Sequence, residues 1–210
     1  MGTSERRERE KQKRRRDIID AARTLFFEKG LRATTIDDIA RSTELARGTI
    51  YLYFEPKEEI YATVLMEGLD ILQKLLEESH DSSADALTNL LSGHDAYMRF
   101  HDEYPHHHSV MLIDKMDFRD LVPAATRLQI DEKMAGMAQW IAARLDEGVR
   151  DGIFRTMDTT AVALMQMGMA TGFALMVDRC SGNPAMFPSR GEIRQVMHDL
   201  IAGSVVRRTS

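Results

Sequence analysis

The chain has 210 residues, 43% of them hydrophobic and 29% charged, which excludes a disordered chain and allows a substantial buried core. The net charge of -5 by itself argues against a nucleic-acid partner, but the charge is unevenly distributed. Residues 1–57 carry 14 Lys and Arg against 10 Asp and Glu, whereas residues 58–210 carry 14 against 23. We therefore predict a DNA-binding domain over residues 1–57 and a second domain of another kind over residues 58–210.

The N-terminal segment is strongly basic, with eight Lys or Arg and three Glu in residues 5–16. Two interpretations fit this composition equally well: a solvated extension of the first helix, or an arm that follows DNA phosphates or enters a minor groove. Beyond it, apolar side chains recur at helical spacing as far as Gly30, which predicts a first helix that belongs to the core. These apolar positions are Ile18, Ile19, Ala22, Leu25 and Phe26.

A helix-turn-helix is predicted directly after this first helix. Thr35 and Asp38 are spaced as a capping box, and apolar residues at helical spacing follow. Polar or small residues at 41–44 separate this short helix from a second one, which begins near Leu45 and carries Leu45 and Leu52 on one side. The second helix of such a pair enters the DNA major groove.

The side chains of the second helix suit contacts with DNA. Arg47 can donate two parallel hydrogen bonds, Gly48 allows the backbone to approach DNA closely, and nearby hydroxyl groups can reach phosphates. Lys57, at the start of a fourth helix, is predicted to contact a phosphate. The predicted DNA-contacting residues are Thr34, Thr35, Ala46, Arg47, Gly48, Thr49, Tyr51, Tyr53 and Lys57.

The stretch from Asp17 to Leu65 resembles the DNA-binding domain of TetR-family transcriptional repressors. The resemblance rests on Phe-Phe-Glu-Lys-Gly-Leu at the end of the first helix, on the Thr-Thr pair, and on Gly-Thr-Ile-Tyr-Leu-Tyr-Phe followed by Pro-Lys-Glu-Glu. It implies a homodimer that binds an inverted-repeat operator and holds a small-molecule inducer. Two positions depart from the family pattern: Glu44 stands where the family usually has Gly, and Ala46 where it usually has Ser.

The rest of the chain is also predicted to be helical, because no alternation typical of strands extends beyond a few residues. The fold class is therefore all-α with about nine helices, comprising an N-terminal three-helix DNA-binding domain and a C-terminal helical domain for ligand binding and dimerisation. The predicted later helices run from Pro56 to Ser79, from Ser83 to Tyr104, from the break at 121–123 to Gly152, from Thr159 to Arg179 and from Arg190 to Val206, the last two joined by a loop at 181–188.

Thr159 to Val177 is a run of 19 uncharged residues that includes a Gly168-x-x-x-Gly172 motif. A membrane helix has this pattern. However, Gln166 lies in the run and no basic excess flanks it, which favours a helix buried on several sides, both by its own chain and by a second copy.

The resemblance implies that the last two helices of each subunit form a four-helix interface in the homodimer. The final helix has a clean apolar stripe, as such an interface requires. The predicted interface residues are Met165, Gly172, Met176, Ile193, Val196, Met197, Leu200 and Ile201.

A ligand pocket is implied by the resemblance, and the 14 methionines suit an adaptable apolar lining. The predicted lining is Tyr97, Phe100, His101, Met111, Met137, Trp140, Met165, Met169 and Phe173. Binding of a small apolar or amphipathic molecule is expected to tilt the helix that starts at Pro56 and to release the operator. The alternatives are a ligand-independent DNA-binding or architectural protein and a membrane-attached sensor.

No enzyme, cofactor or metal site is predicted. The chain lacks a nucleophile elbow, a phosphate loop and a metalloprotease pair. The spacing of His94, His101 and His106-His107-His108 is poor for one metal ion, and we expect an exposed histidine loop near the pocket. A single cysteine, Cys180, fits an inert thiol in the reducing cytoplasm, and the charged N-terminus does not resemble a signal peptide.

Overall fold

A computed structural model of the chain describes residues 3–113, 121–180 and 189–207. These residues form nine α-helices, and their β contacts amount to one isolated bridge between Phe154 and Val206. The predicted all-α class is confirmed, whereas the predicted loop at 181–188 lies outside the described residues. The helices are α1 (Thr3–Ala33), α2 (Ile36–Ser42), α3 (Arg47–Tyr51), α4 (Lys57–Glu78), α5 (Ala86–Glu103), α6 (Pro105–Ile113), α7 (Ala124–Arg150), α8 (Thr159–Cys180) and α9 (Arg190–Val205).

The basic N-terminal segment is helical and continuous with α1. Its side chains are exposed except for Arg15, whose guanidinium lies 4.8 Å from the centre of the Phe54 ring. The helical backbone is interrupted at Gly30, where φ is 77°. Because L-residues with a side chain rarely adopt this conformation, glycine is the residue suited to the break.

The start of α5 differs from the prediction. Ser83, where the sequence predicts the helix to start, lies before it, and its backbone N–H and hydroxyl both donate to Asp81. Asp85 caps α5 instead, accepting a 2.7 Å hydrogen bond from the Thr88 backbone. Pro105, predicted only to end this helix, also begins α6, because proline suits the first turn of a helix.

The chain divides into two compact units, the first formed by Met1–Leu69 with His106–Ile130 and the second by Asp70–Pro105 with Asp131–Ser210. In the first unit, the Tyr61 hydroxyl donates to the Val110 carbonyl at 2.9 Å, and its ring meets Phe26 edge-on at 5.3 Å. The start of α4 and the part of α6 from His106 onward thus belong to the same unit as α1, α2 and α3. The predicted domain boundary after residue 57 does not coincide with the boundary between compact units.

The three consecutive histidines do not form the exposed loop that we expected. They lie in the first turns of α6, where the ring of His106 stacks on Phe27 at 5.0 Å and the ring of His107 meets the same phenyl edge-on at 5.1 Å. His108 is buried. Burial lowers the pKa of His107. The residues belong to the packing of α6 against α1.

The core of the second unit is built by α5, α7, α8 and α9 together with the turn after α7. Phe154 packs so closely on Gly148 that no side chain would fit there. Ile201, predicted to contact a second copy, belongs to this core instead. The core residues are Ala86, Leu90, Ala142, Leu145, Phe154, Ala163, Ile201 and Val205.

Helix α8 is less buried within one chain than predicted. Its segment Thr159–Val177 is long and apolar enough to cross a membrane, and only 22% of that window is buried. Buried and exposed positions alternate along α8 with helical spacing. One face of the helix therefore packs on its own unit, while the opposite face is exposed to solvent. The open face carries Ala161, Leu164, Met165, Gly168, Gly172, Leu175 and Met176.

Candidate nucleic-acid interface and ligand cavity

Helix α2 starts with the predicted capping box. The Asp38 backbone donates to the Thr35 hydroxyl at 3.1 Å, and the Thr35 backbone donates to the Asp38 carboxylate at 3.0 Å. Lys29 of α1 donates to the same carboxylate at 2.7 Å. This hydrogen bond, with those from Thr35, holds the pKa of Asp38 below its ordinary value. The ionised carboxylate therefore fixes α2 to the end of α1.

The turn between α2 and α3 is closed by local hydrogen bonds. The Leu45 backbone donates to the Ala40 carbonyl at 3.0 Å, and Thr43 donates from its hydroxyl to the Ile39 carbonyl at 2.8 Å. Glu44 adopts a left-handed conformation with φ of 55°. A residue with a side chain is strained there, which explains why glycine suits this position better.

We expect Glu44→Gly to raise the free energy of unfolding by about 0.5–1 kcal/mol. The gain from removing the left-handed strain is partly offset by the greater freedom of glycine in the unfolded chain. Urea denaturation provides the measurement. Ser42→Gly, in the right-handed last turn of α2, is the control and should lower stability; a loss in both variants would contradict the strain argument.

Helix α3 presents an exposed surface of mixed chemistry. Arg47 is held there by a 3.5 Å ion pair with Asp37 and a 3.4 Å hydrogen bond to the Tyr51 hydroxyl. The bond to Tyr51 and the charge of Asp37 raise the pKa of Arg47. Ile50 is fully buried and anchors the helix. Leu52, predicted to share one side with Leu45, is 80% exposed because the helix ends at Tyr51.

Two predicted DNA contacts have other roles in the structure. Thr34 is fully buried, and its hydroxyl donates to the Gly30 carbonyl at 2.8 Å. The ammonium group of Lys57 donates to the carbonyls of Leu31 at 2.7 Å and of Thr34 at 2.8 Å, with Arg32 at 3.4 Å. Lys57 thus ties α4 to the end of α1. Of the other predicted contacts, Thr35, Ala46, Arg47, Gly48 and Tyr51 are exposed, and Thr49 and Tyr53 are half-buried.

We expect Lys57→Met to lower the free energy of unfolding by about 2 kcal/mol, because backbone carbonyls lose a charged donor. Lys74→Met is the matched control in the same helix. The Lys74 ammonium is exposed and lies 3.6 Å from Glu78 as its ion-pair partner, so its loss should change stability by about 0.5 kcal/mol or less. Equal urea midpoints for the two variants would contradict the role given to Lys57.

A cavity of about 170 Å³ lies between α5, α8 and α9 in the second unit. Two of the nine predicted lining residues, His101 and Phe173, line it, and the other seven do not. The cavity is lined by His94, Met98, His101, Asp102, Phe173, Val177, Arg190, Gly191, Arg194 and Met197. Met197, predicted for the dimer interface, therefore faces the interior of its own chain.

The seven remaining residues of the predicted pocket are dispersed, because helical spacing does not tell which neighbour a face will meet. Phe100 is fully buried and stacks on Tyr104 at 6.0 Å. Trp140 covers Gly93 so closely that a side chain would not fit. The other five lie in different places: the Tyr97 hydroxyl donates to Thr171, Met137 is buried, Met169 borders the core, Met165 is exposed, and Met111 belongs to the first unit.

Two groups of charged side chains join α5 to α9 beside the cavity. Asp95 accepts two hydrogen bonds from Arg194, one of them at 2.6 Å, and lies 2.9 Å from Nε2 of His198. Burial works to raise the pKa of Asp95, but the bond from Arg194 and the charges of His198 and Arg194 lower it. The second group links Asp102 to Arg190 and to Nδ1 of His101. These contacts were not predicted from the sequence. Their only signal in the sequence is the spacing of Asp95 and Asp102, which lie two helical turns apart on α5.

His94 directly precedes Asp95 on α5 and lines the cavity. It is only 9% exposed, and its Nε2 has no hydrogen-bond partner. Its ring meets that of His198 edge-on at 6.2 Å. Burial, followed by the charge of His198, lowers the pKa of His94 to about 4. The imidazole is therefore neutral at physiological pH.

Across residues 3–113, 121–180 and 189–207, no group of three or more His, Cys, Asp or Glu is arranged to hold a metal ion. The Cys180 side chain lies outside the described residues.

Comparison with known proteins identifies the family. Residues 18–64 match the model for bacterial regulatory proteins of the tetR family. Over 148 residues the chain is 31% identical to the HTH-type transcriptional repressor KstR2 of Mycolicibacterium smegmatis, covering 68% of each protein.

Solved structures share the fold. A tetR-family regulatory protein of Rhodococcus RHA1 superposes with a TM-score of 0.73 at 20% identity, covering 94% of this chain and 99% of the other. AibR, in complex with isovaleryl coenzyme A and operator DNA, gives 0.69 at 16% identity, with coverage of 91% and 99%. The family and these relatives are transcriptional regulators rather than enzymes. The chain therefore belongs to the TetR family of DNA-binding transcriptional repressors.

Proposed function

We propose that this repressor binds an inverted-repeat operator as a homodimer and leaves it when a small apolar or amphipathic molecule occupies the second unit. The observation that carries the DNA-binding part is the exposed surface of α3. There Arg47 is 60% exposed at its side chain and is held in place by Asp37 and Tyr51.

Arg47 is the residue best suited to read a base. Its guanidinium can donate in a bidentate fork to guanine once it leaves the long 3.5 Å ion pair with Asp37. Tyr51 and Thr35 are exposed residues of the same motif, and the Tyr51 hydroxyl suits a phosphate contact. The helical N-terminal segment adds basic side chains that favour phosphates without regard to sequence.

Gly48 supports a close approach of DNA to α3. Apart from its own chain neighbours and the backbone of its helix, no atom of the described residues lies within 4 Å of the position that its Cβ would occupy. Glycine in a helix costs about 1 kcal/mol relative to alanine, and no contact within the described chain requires it. A neighbour outside the chain explains its presence, and DNA in the major groove is that neighbour in our proposal.

The dimer proposal rests on exposed apolar side chains of α8 and α9. Leu164, Met165 and Met176 on α8 and Val196 and Leu200 on α9 are all more than half exposed. Soluble proteins seldom leave such stripes uncovered unless they bind a partner. The glycines of the α8 motif lie on the open face and allow a helix of a second copy to approach closely. Ile193, also predicted here, is half-buried.

The ligand response is supported by the cavity in the second unit. The crystal structure of AibR, a structural neighbour, contains both isovaleryl coenzyme A and operator DNA. Linkage requires that DNA weaken ligand binding by the same factor by which the ligand weakens DNA binding. Operator affinity unchanged at saturating ligand would instead identify a ligand-independent binder. Purification without detergent, as expected of a cytoplasmic regulator, would exclude the membrane-attached sensor.

Sequence-specific DNA recognition by α3 is tested by comparing the variants Arg47→Ala and Gly48→Ala. Operators are first selected from random duplexes at fixed salt, and the affinity of each variant is then measured. We expect Arg47→Ala to bind about tenfold more weakly and to lose preference at one base pair. Gly48→Ala should be about 0.5–1 kcal/mol more stable yet bind DNA more weakly. Unchanged affinity in both variants would mean that α3 does not enter the groove.

A further inference from the structure

We propose that the cavity between α5, α8 and α9 binds an uncharged, mostly apolar molecule of about one ring, whose single hydrogen-bonding oxygen pairs with His94. The inference rests on the proposed ligand response and names the chemical class of the inducer.

The size of the cavity limits the ligand. An apolar cavity of about 150 Å³ accepts benzene, whereas sites for drug-sized ligands measure about 300–1,000 Å³. At about 170 Å³, this cavity accommodates one ring with a short substituent. A whole nucleotide or a fused-ring molecule exceeds that volume.

The charges at the rim favour an uncharged ligand. Arg190 is paired with Asp102, and Arg194 with Asp95, so each arginine of the cavity already has a carboxylate partner. An anion would have to lose its hydration without gaining an uncommitted cation. A cation would meet carboxylates that are likewise paired.

The inner walls are apolar and adaptable. Phe173 and Val177 of α8 face Met98 of α5 and Met197 of α9. Two thioether side chains can adjust to ligands of slightly different shape, because methionine is unbranched and flexible. These walls favour a hydrocarbon ring over a polar one.

His94 supplies the polar partner. Buried polar atoms are nearly always hydrogen-bonded, yet Nε2 of His94 has no partner although the residue lines the cavity and is nine-tenths buried. Nε2 itself is buried, but the torsion that turns an imidazole about its Cβ–Cγ bond is broad, and in our proposal the ring turns when the ligand binds. A neutral imidazole can donate to a carbonyl or accept from a hydroxyl.

The experiment titrates the full-length protein with toluene, benzyl alcohol and benzoate, which share one ring. Calorimetry gives each affinity in the wild type, in His94→Leu and in His94→Gln. We expect the ratio of benzyl alcohol to toluene affinity to fall about tenfold in His94→Leu. His94→Gln, which keeps a side-chain hydrogen-bonding group, should retain most of the ratio. Val177→Phe, which fills the cavity, should weaken both neutral ligands equally.

Three results would overturn the inference. They are an unchanged ratio in His94→Leu, tighter binding of benzoate than of benzyl alcohol, and unchanged affinity of both neutral ligands in Val177→Phe. Operator affinity is measured in the same samples. If benzyl alcohol binds through His94 but leaves operator affinity unchanged, the cavity inference holds and the proposed induction fails. If the ratio is unchanged while the operator is still bound, only the cavity inference fails.

Discussion

Replacing Leu200 with Asp is expected to leave each chain folded and to convert the proposed dimer into monomers. Leu200 is 56% exposed within its own chain, so the change removes little from the core. In a two-fold interface, however, the substitution buries an unpaired carboxylate in each copy. That cost, about 3 kcal/mol or more, weakens dimerisation at least about 100-fold.

Sedimentation as a function of concentration measures the dimerisation, and operator titration follows its consequence. A monomer spans one half-site, so operator affinity should fall together with dimerisation. Leu128→Asp is the matched control, since Leu128 is 58% exposed on α7. If Leu200→Asp remains as dimeric as Leu128→Asp, the dimer interface proposed on α9 is wrong.

His94 is expected to make stability strongly dependent on pH. Its pKa in the folded chain is lowered from 6.5 to about 4, so the unfolded chain takes up a proton at a pH where the folded chain does not. The contribution is fully present above about pH 6.5 and is lost as the pH falls toward 4. Across this window the free energy of unfolding should drop by about 3 kcal/mol from this group.

The measurement is urea denaturation of the wild type and His94→Leu at about pH 7 and about pH 4.5. Other charged groups interact with His94, namely His198, Asp95 and Arg194. Because the pKa of Asp95 is lowered in the folded chain, Asp95 also lowers the free energy of unfolding as the pH falls. This contribution is common to the wild type and His94→Leu. The wild type should therefore lose more stability than the variant on acidification. Parallel losses would show that the imidazole is not desolvated in the folded chain.

The DNA-binding motif could be predicted from the sequence because the interactions that form it are local. The capping box joins Thr35 to Asp38 across three residues, and the apolar spacing of α2 needs only helical geometry. The start of α8 and the extent of α9 follow from equally local patterns. Glu44 could be recognised as unusual only through the resemblance to the family, and its left-handed backbone supplies the physical reason.

Only the tertiary structure decided which side chains of these helices are available to a partner. The sequence predicted that Lys57 contacts a phosphate. In the structure its ammonium group donates instead to the carbonyls of Leu31 and Thr34, which lie 26 and 23 residues away. The uncharged α8 has no polar face in its sequence, so periodicity could not tell its buried side from its open one.

The cavity depended on the tertiary structure as well. Asp95 and Arg194 meet across 99 residues, and His94 became a candidate site only through what surrounds it. The sequence thus determined the helices, the family and the motif, because short-range geometry specifies them. The structure decided burial, pairing and the cavity, because those depend on which distant helix covers each face.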